Sequence, residues 1–519
     1  MTDRIRLNEG NRRWWTLAAM CFALFMIMLD NTVVNVALPS IQDDLGASLS
    51  GLEWTVNIYT LTFAVLLVTG GRLGDIFGRR RMFLFGVVVF AVSSAAIGLA
   101  PDEGWLVAGR AIQGAGAAFM MPATLSIITV TFPAEERGKA IGTWAGVSAL
   151  ALAIGPVLGG ALAEYVSWRA IFFLNLPVAV GAVAVTLFAT RESRDETTEH
   201  MIDWRGMATL SAGLTALVLA LVEGNSWGWG SPEVVALLVT AAVGLGAFAL
   251  IEPRVREPMV DFSLFSSKTF LGANIVAFIV SFSMFAMFFF IALYLQNILG
   301  YSAVEAGVRF LPSTLMIVLF APIAGRLADR VGPRPLIVTG LTLTTLALFL
   351  QTRIDLDTGY GLLLPAFVLM GIGMALVMSP MSTAAMNSVV PEKAGVGSGI
   401  LSMSRMVGAT FGVAAIGALF QHLARNELAD KLAGTSVGPA QQEQLVHNLG
   451  AGGGGESLPP QVVEAAHNAF IHALASGMWL SAGVAALGAV LAFVLIAPKT
   501  ERRPDPARRP EAAEVASPG

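Results

Sequence analysis

A carboxylate, Asp30, lies within the first long apolar run of the chain, in the stretch MLDNTVVNVALP. An ionised carboxylate at the middle of a membrane helix costs about 2.5–3.5 kcal/mol on insertion scales, so it needs a wet cavity, a partner or a proton. A carboxylate that alternates between wet and dry surroundings can bind a proton on one side and release it on the other. The alternative interpretation is a permanently hydrogen-bonded brace between helices.

Two arginines also fall inside apolar runs. Arg110, in GRAIQGAGAAFMMP, is predicted to tune a carboxylate or a proton path. Because it lies close to the outer start of its run, its side chain can alternatively snorkel to the membrane surface. Arg405, in SGILSMSRMVGATFG, lies deeper in a later run, and the sequence does not show its partner.

A glycine–acid–glycine motif occurs twice, as GRLGDIFGRRR from Gly71 and as GRLADRVGPR from Gly325. We predict that Asp75 pairs with Arg79 across the ends of two helices and latches one conformation, while the glycines let the helices approach. The alternative is that the arginines only set the membrane topology. The residues assigned to this latch are Gly71, Asp75, Gly78, Arg79, Arg80 and, in the second copy, Asp329.

The composition is that of an integral membrane protein. Of 519 residues, 55% are hydrophobic and 13% charged, against roughly 25% charged residues in soluble domains, and the mean hydropathy is +0.70. A net charge of −4 gives no indication of nucleic-acid binding. No phosphate loop, zinc spacing or nucleophile elbow is present, so we expect no enzyme activity, no cofactor, no metal and no ATP-driven transport.

Fourteen apolar runs are long enough to cross about 30 Å of hydrocarbon. Most lysines and arginines fall in loops on one side of this arrangement, which we therefore expect to be cytoplasmic, together with both termini. The runs are predicted near residues 14–38, 52–70, 82–100, 105–131, 138–163, 169–190, 205–222, 234–251, 269–297, 304–325, 335–352, 360–388, 394–421 and 473–497.

The spacing of the two motif copies exceeds what six helices require, and two additional runs account for the surplus. Parallel six-helix repeats are how major facilitator transporters are built, with the substrate site between the halves. We expect the two additional helices to lie peripherally. The predicted parts are an N-terminal six-helix bundle (1–190), two inserted helices (191–256), a C-terminal six-helix bundle (257–500) that contains an outer polar loop (422–468), and a cytoplasmic tail (501–519).

Further side chains are candidates for lining a cavity. Glu305 and Arg309 are four residues apart, which favours a local ion pair, with a substrate site as the alternative. Methionines and phenylalanines in spans nine and twelve suit varied apolar or cationic ligands, although such residues more commonly pack in a core or face lipid. The candidate cavity residues are Asn35, Asn57, Gln113, Glu305, Arg309, Arg405, Met284 and Phe285.

Span five contains GPVLGG, from Gly155 to Gly160, whose small residues permit close helix packing and whose proline permits a kink. Several stretches together make the chain resemble the fourteen-span drug:proton antiporter family of the major facilitator superfamily over nearly its whole length. They are LDNTVVNVALP, GRLGDIFGRRR, GRAIQGAGAAFMMP, GPVLGG and WRAIFFLNLP.

The resemblance implies an all-α membrane protein with the major facilitator fold, two six-helix bundles plus two additional helices. It also implies that Asp30 is a proton or cationic-drug site and that Arg110 assists proton coupling. The antiporter gate would comprise Gly155, Pro156, Gly159 and Gly160.

The expected activity is export of lipophilic compounds, cationic ones among them, in exchange for protons. We expect a monomer that works in the lipid bilayer of the bacterial cytoplasmic (inner) membrane. A dedicated exporter of one antibiotic or lipid and a facilitator without proton coupling remain alternatives, because a fold does not decide between these functions.

Overall fold

The computed structural model describes residues 9–196, 201–356, 358–432 and 460–498, and this part of the chain is helical without strands. The predicted tail at 501–519 and most of the predicted outer loop lie outside the described residues. The α-helices are α1 (Glu9–Leu45), α2 (Leu49–Phe77), α3 (Arg79–Gly98), α4 (Glu103–Thr131), α5 (Ala134–Tyr165), α6 (Trp168–Phe173), α7 (Asn175–Ala189), α8 (Trp204–Trp227), α9 (Pro232–Ile251), α10 (Lys268–Leu293), α11 (Ala303–Val331), α12 (Pro333–Gln351), α13 (Tyr360–Asn387), α14 (Ala394–Lys431) and α15 (Pro460–Leu495).

The prediction of fourteen spans is confirmed, because fourteen helical segments of the described chain are long and apolar enough to cross a membrane. Helices α6 and α7 form one of these segments and are separated at Leu174. Pro177 lacks the N–H that would bond to the Phe173 carbonyl, so the helical ladder is interrupted at this point. The interruption lies beside Asn175, a polar residue that is only 2% exposed.

The helices form the two six-helix bundles of the predicted fold, α1–α7 and α10–α15. Helix α5 packs along α11, and α2 packs along α14. Close approach depends on small residues, since a β-carbon on Gly142 of α5 would lie 2.5 Å from the carbonyl oxygen of Ala321 on α11. The end of the bundles that carries Arg80, Arg81 and Arg334 is called the basic end below.

The two inserted helices lie beside one of these two lines of contact. Helix α9 packs on α8, and α8 packs against both α2 and α14. The Asn225 side-chain amide of α8 donates to the Ala414 carbonyl of α14 at 3.3 Å. Helix α9 therefore has a peripheral position, whereas α8 contacts both bundles.

Both ends of the predicted outer polar loop are helical. Helix α14 continues to Lys431, and α15 begins at Pro460, so only residues 432–459 of the predicted loop fall outside the described helices. Hydropathy detects only the apolar middle of a helix, whereas both extensions carry buried apolar residues at helical spacing. These are Ala424 and Leu428 on α14, and Val462 and Ala466 on α15.

We predict that Phe420→Ala destabilises the C-terminal bundle. The Phe420 ring is 1% exposed, and its centroid lies 5.3 Å from that of Phe290 and 5.2 Å from that of Phe470. Phenylalanine-to-alanine changes in a core cost about 3–5 kcal/mol, so the melting temperature in detergent should fall by several degrees. Leu487→Ala on α15, whose side chain is 55% exposed, is the matched control. Equal melting temperatures for the two variants would contradict the prediction.

Candidate functional site

Asp30 and Arg110 form an ion pair in the interior of the N-terminal bundle. Nη1 of Arg110 lies 2.5 Å from Oδ2 of Asp30. The two residues are 1% and 2% exposed, so snorkelling of Arg110 is not what the structure shows. Burial of both charges requires close pairing and further hydrogen bonds, because each ion loses its hydration.

Neighbouring polar groups supply those hydrogen bonds. The side-chain amides of Gln113 on α4 and Asn175 on α7 both donate to Oδ1 of Asp30 at 3.0 Å. Asn175 also donates to the hydroxyl of Ser94 on α3, again at 3.0 Å. With the bond from Arg110, Asp30 therefore accepts three hydrogen bonds from two other helices.

Arg110 has partners that do not depend on Asp30. Its Nη1 donates to Oε1 of Gln113 at 2.7 Å, and its Nε donates to the Thr55 carbonyl at 3.1 Å. The Tyr59 ring lies 4.1 Å from the guanidinium carbon, a cation–π distance. The guanidinium therefore retains favourable contacts when the charge on Asp30 is removed.

The first glycine–acid–glycine copy joins the two bundles at the basic end. Oδ1 of Asp75 accepts from Nη2 of Arg79 at 2.6 Å and from the Gly395 N–H at 2.9 Å, and Oδ2 accepts from the Val396 N–H at 2.8 Å. Asp75 thus places a negative charge at the start of α14, where unpaired N–H groups and the helix dipole favour it. Arg79 donates to the Pro391 carbonyl at 2.6 Å.

The second copy makes a related contact on the other side of the bundle pair. Asp329, near the end of α11, accepts from the backbone N–H groups of Gly138 and Lys139 at 3.0 Å and 3.2 Å. Arg137 adds a hydrogen bond of 2.9 Å to the side chain of Asn387. Each bundle therefore directs one carboxylate at backbone N–H groups near the start of a helix in the other bundle.

The other residues of the predicted latch have local roles. A β-carbon on Gly71 would overlap the Gly395 carbonyl oxygen, so α2 and α14 meet here backbone to backbone. Gly78 turns the chain between α2 and α3 with φ at +110°, a region that favours glycine. Arg80 stays within the N-terminal bundle and donates to the Leu187 carbonyl at 3.2 Å.

The glycines of the GPVLGG stretch in span five face α1. A β-carbon on Gly155 would overlap Oγ1 of Thr32, and one on Gly159 would lie 2.9 Å from Cγ1 of Val33. At Gly160 the nearest α1 atom would be 3.7 Å away. Helix α5 continues through Pro156 without interruption. This stretch therefore allows close packing of α1 and α5 next to Asp30.

The candidate cavity residues do not converge on one place. Gln113 belongs to the Asp30 network. Asn57 lines a cavity of about 350 Å³ between α1 and α2, together with Glu53, at the end opposite the basic end. The exposed Asn35 donates to the Asn31 carbonyl one turn earlier on α1, at 2.9 Å.

The local ion pair predicted for Glu305 and Arg309 is not formed in the described structure. The Glu305 carboxylate accepts from the Ser302 N–H at 2.9 Å and completes a capping box at the start of α11. Arg309 instead donates to the Glu305 carbonyl at 3.1 Å and lies 3.4 Å from the Tyr301 ring centroid. The Glu305 carboxylate thus caps a free backbone N–H at the start of its own helix, which the four-residue spacing did not predict.

The remaining candidates lie on the C-terminal bundle. Met284 is 8% exposed within the α10 core, whereas the adjacent Phe285 is 45% exposed. Arg405 lies on α14, and its side chain approaches the Trp144 ring of α5, at 5.9 Å from the guanidinium carbon to the ring centroid.

Sequence reasoning missed three members of the Asp30 network: Ser94, Asn175 and the Tyr59 ring. A signal for Asn175 was present, because it is the polar residue in FFLNLP and precedes a proline by two positions. Ser94 and Tyr59 carry no comparable signal, since serines and tyrosines are common in membrane helices and at their surfaces.

A comparison with protein families matches residues 20–413 of the chain to the Major Facilitator Superfamily. The tetracenomycin C resistance and export protein of Streptomyces glaucescens is 35% identical, with 95% of this chain and 94% of that protein covered. A puromycin resistance protein of Streptomyces alboniger is 38% identical (94% and 92% covered). A multidrug transporter protein of Bacillus subtilis, MdtP, is 32% identical (82% and 78%).

Among solved structures, that of the human organic anion transporter MFSD10 is similar, with a TM-score of 0.60 over 92% of this chain and all of that chain. The sequence identity is 14%, so this likeness concerns the fold alone.

The family match, the relatives and the fourteen spans agree with one another. The chain belongs to the Major Facilitator Superfamily, as a multi-pass membrane transporter of small molecules that fits the fourteen-span drug:proton antiporter type.

Proposed function

We propose that the protein exports lipophilic drugs or antibiotics, cationic ones among them, in exchange for protons. The observation that carries the proposal is the buried Asp30–Arg110 pair, a titratable carboxylate inside the membrane region. The substrate class is supported by relatives whose names describe antibiotic export, antibiotic resistance and multidrug transport. Fold alone does not assign a substrate, so these two observations are needed together.

The hydrogen bonds around Asp30 suit a group that changes charge. In the ionised form the carboxylate binds Arg110, Gln113 and Asn175. When a proton neutralises it, Arg110 keeps Gln113, the Thr55 carbonyl and the Tyr59 ring. Protonation therefore loosens the contact of α1 with α4 and α7 without leaving the arginine unpaired, which is a physical route from proton binding to helix movement.

The contacts between the bundles suit alternating access. Asp75 and Asp329 each bind backbone N–H groups of the opposite bundle, so the described conformation is closed at the basic end. In the proposed cycle these contacts act as the latch and break when the basic end opens to receive a substrate. The bundles of related transporters rock about a site near the membrane midplane.

We further propose that the protein is a monomer in the bacterial cytoplasmic membrane, with the basic end and both termini in the cytoplasm. The moving parts would be residues 1–190 and 257–500, with 191–256 as the insert. One proton that enters down a potential of about 100 mV supplies about 2.3 kcal/mol, equivalent to roughly a fifty-fold gradient of a neutral substrate.

A narrower activity is the second candidate. Two of the relatives are named for one antibiotic each, tetracenomycin C and puromycin, which favours a dedicated exporter. A broad panel of toxic compounds given to cells that express the protein distinguishes the candidates, since a dedicated exporter protects against one compound class only.

Asp30→Asn should abolish proton-coupled transport. Asparagine keeps the size of the side chain but binds no proton, so substrate-induced proton release and uphill transport should both disappear. The measurement uses proteoliposomes with an imposed pH gradient and a panel of dyes and antibiotics. Downhill exchange of substrate should continue, because the conformational change itself does not require the charge.

Asp44→Asn is the matched control on the same helix. Asp44 also pairs with an arginine, Arg169, but its side chain is 46% exposed at the end opposite the basic end. Its variant should retain coupling. Normal proton exchange by Asp30→Asn would contradict the assignment, and loss of downhill exchange as well would favour a structural brace.

Asp75→Asn should shift the protein towards opening of the basic end. Ser398 is fully buried there and donates to the Pro122 carbonyl of the other bundle at 2.6 Å. In a Cys21→Ser background, a Ser398→Cys side chain should react with a maleimide about tenfold faster once Asp75 is neutral. This factor corresponds to about 1.4 kcal/mol, close to the loss of one hydrogen bond to a charged group.

Glu192→Gln provides the control for this labelling experiment. Glu192, just after α7, also lies at the basic end, but it accepts from the backbone N–H groups of Arg80 and Arg81 in the adjoining N-terminal bundle. Its variant should label at the parent rate. If Asp75→Asn labels no faster than Glu192→Gln, the Asp75 contact does not control opening.

A further inference from the structure

Arg405 carries a positive charge at the contact between the two bundles, within α14 and away from both ends of that helix. Its Nη2 donates to the Ser382 hydroxyl of α13, and its Nε is buried without a hydrogen-bond partner. The Trp144 ring of the N-terminal bundle lies at 5.9 Å. A guanidinium has five N–H donors, so most of its capacity is unused here.

The helices that contact Arg405 offer no counter-charge at its level. Helix α13 contains no acidic residue. On α14, the first acidic residue is Glu427, which lies about 33 Å from Arg405 along the helix at 1.5 Å per residue. On α5, the closest acid to Trp144 in sequence is Glu136, about 12 Å away along that helix. In the part of the chain that the structure describes, Arg405 forms no ion pair.

This environment differs from that of the other arginines inside the bundles. Arg110 and Arg79 are each paired with a buried carboxylate, Asp30 and Asp75 respectively. A cation inside a membrane protein is expensive and typically marks a cavity, a partner or a transported species. One hydroxyl and one ring, at the outer limit of a cation–π contact, do not neutralise the charge of Arg405.

We propose that Arg405 is a binding subsite for an anionic oxygen of the exported molecule, a carboxylate or a phenolate. The planar guanidinium can bind such an oxygen through two parallel N–H groups. The inference rests on the proposed export function and adds acidic amphiphiles to its substrate class. The ionised Asp30 cannot attract such molecules, and its charge is already balanced by Arg110.

The position of the subsite also fits the transport cycle. Trp144 and Arg405 belong to different bundles, so their contact is broken when the bundles separate at the basic end. When the basic end opens, the Arg405 guanidinium loses its weak contact with the Trp144 ring and faces the entering substrate. Closure returns the ring and displaces the anion, which gives directional release.

The test compares two dyes that share a xanthene ring system but differ in charge. Fluorescein is a dianion at pH 8, and rhodamine 6G is a cation. Their dissociation constants are measured by fluorescence polarisation with the purified full chain in detergent. Arg405→Met should weaken fluorescein binding at least about tenfold, the loss expected for a charge-assisted contact, and leave rhodamine 6G within about twofold. Arg405→Lys should retain part of the fluorescein affinity, which shows that the site is folded.

Arg353→Met is the matched control. Arg353 is exposed after α12 and also lies near an aromatic ring, that of Phe349 at 5.3 Å, so the variant removes the same charge elsewhere. Its binding of both dyes should equal that of the parent. The proposal is overturned if the parent does not bind fluorescein, if Arg405→Met binds it as the parent does, or if the affinity for both dyes falls equally.

The binding measurement needs neither a membrane nor a proton gradient. A protein that binds fluorescein through Arg405 but does not move it against a gradient in proteoliposomes would contradict the export function and leave the subsite intact. If the protein exports rhodamine 6G but Arg405→Met does not weaken fluorescein binding, the proposed subsite is contradicted and the export function is not.

Discussion

A carboxylate in the hydrocarbon region must be neutralised by its neighbours, and the Asp30–Arg110 pair meets this requirement in the N-terminal bundle. The pair joins α1 to α4, and amides of α4 and α7 complete it, while the Thr55 carbonyl and the Tyr59 ring of α2 contact the arginine. The relative positions of these four helices therefore depend on one buried carboxylate and its arginine. The interruption between α6 and α7 serves the same centre, because it lies where Asn175 reaches Asp30.

The two bundles are related in their backbone contacts but not in their buried charges. Asp75 and Asp329 each bind N–H groups of the opposite bundle, as expected for repeats about an axis along the membrane normal. In the interior, however, the N-terminal bundle contains a neutral pair, whereas the C-terminal bundle contributes Arg405, which has no ion pair among the described residues. Buried charged side chains are therefore distributed unequally between two bundles of similar architecture.

Long apolar runs and the repeated motif were sufficient to predict the fourteen spans and the fold, because hydrophobic length and loop charge are local properties of the chain. The network around Asp30 was only partly predictable, since tertiary packing brings Asn175 to Asp30 and Ser94 to Asn175. For Glu305, the four-residue spacing predicted an ion pair with Arg309. The carboxylate instead accepts a hydrogen bond from the Ser302 N–H at the start of its own helix. The lengths of α14 and α15 were underestimated because their polar ends bury only a narrow stripe of apolar residues, which lowers the mean hydropathy there.

The insert makes the two flanks of the transporter different. The bundles meet along α2 and α14 on one flank and along α5 and α11 on the other. Helix α8 lies against the first of these lines, with α9 outside it, and Asn225 fastens α8 to α14. A lipophilic molecule dissolved in the bilayer thus encounters an additional helical layer on one flank and the bundle helices themselves on the other. The two flanks therefore present different helical surfaces to lipid, unlike those of a transporter built from the two bundles alone.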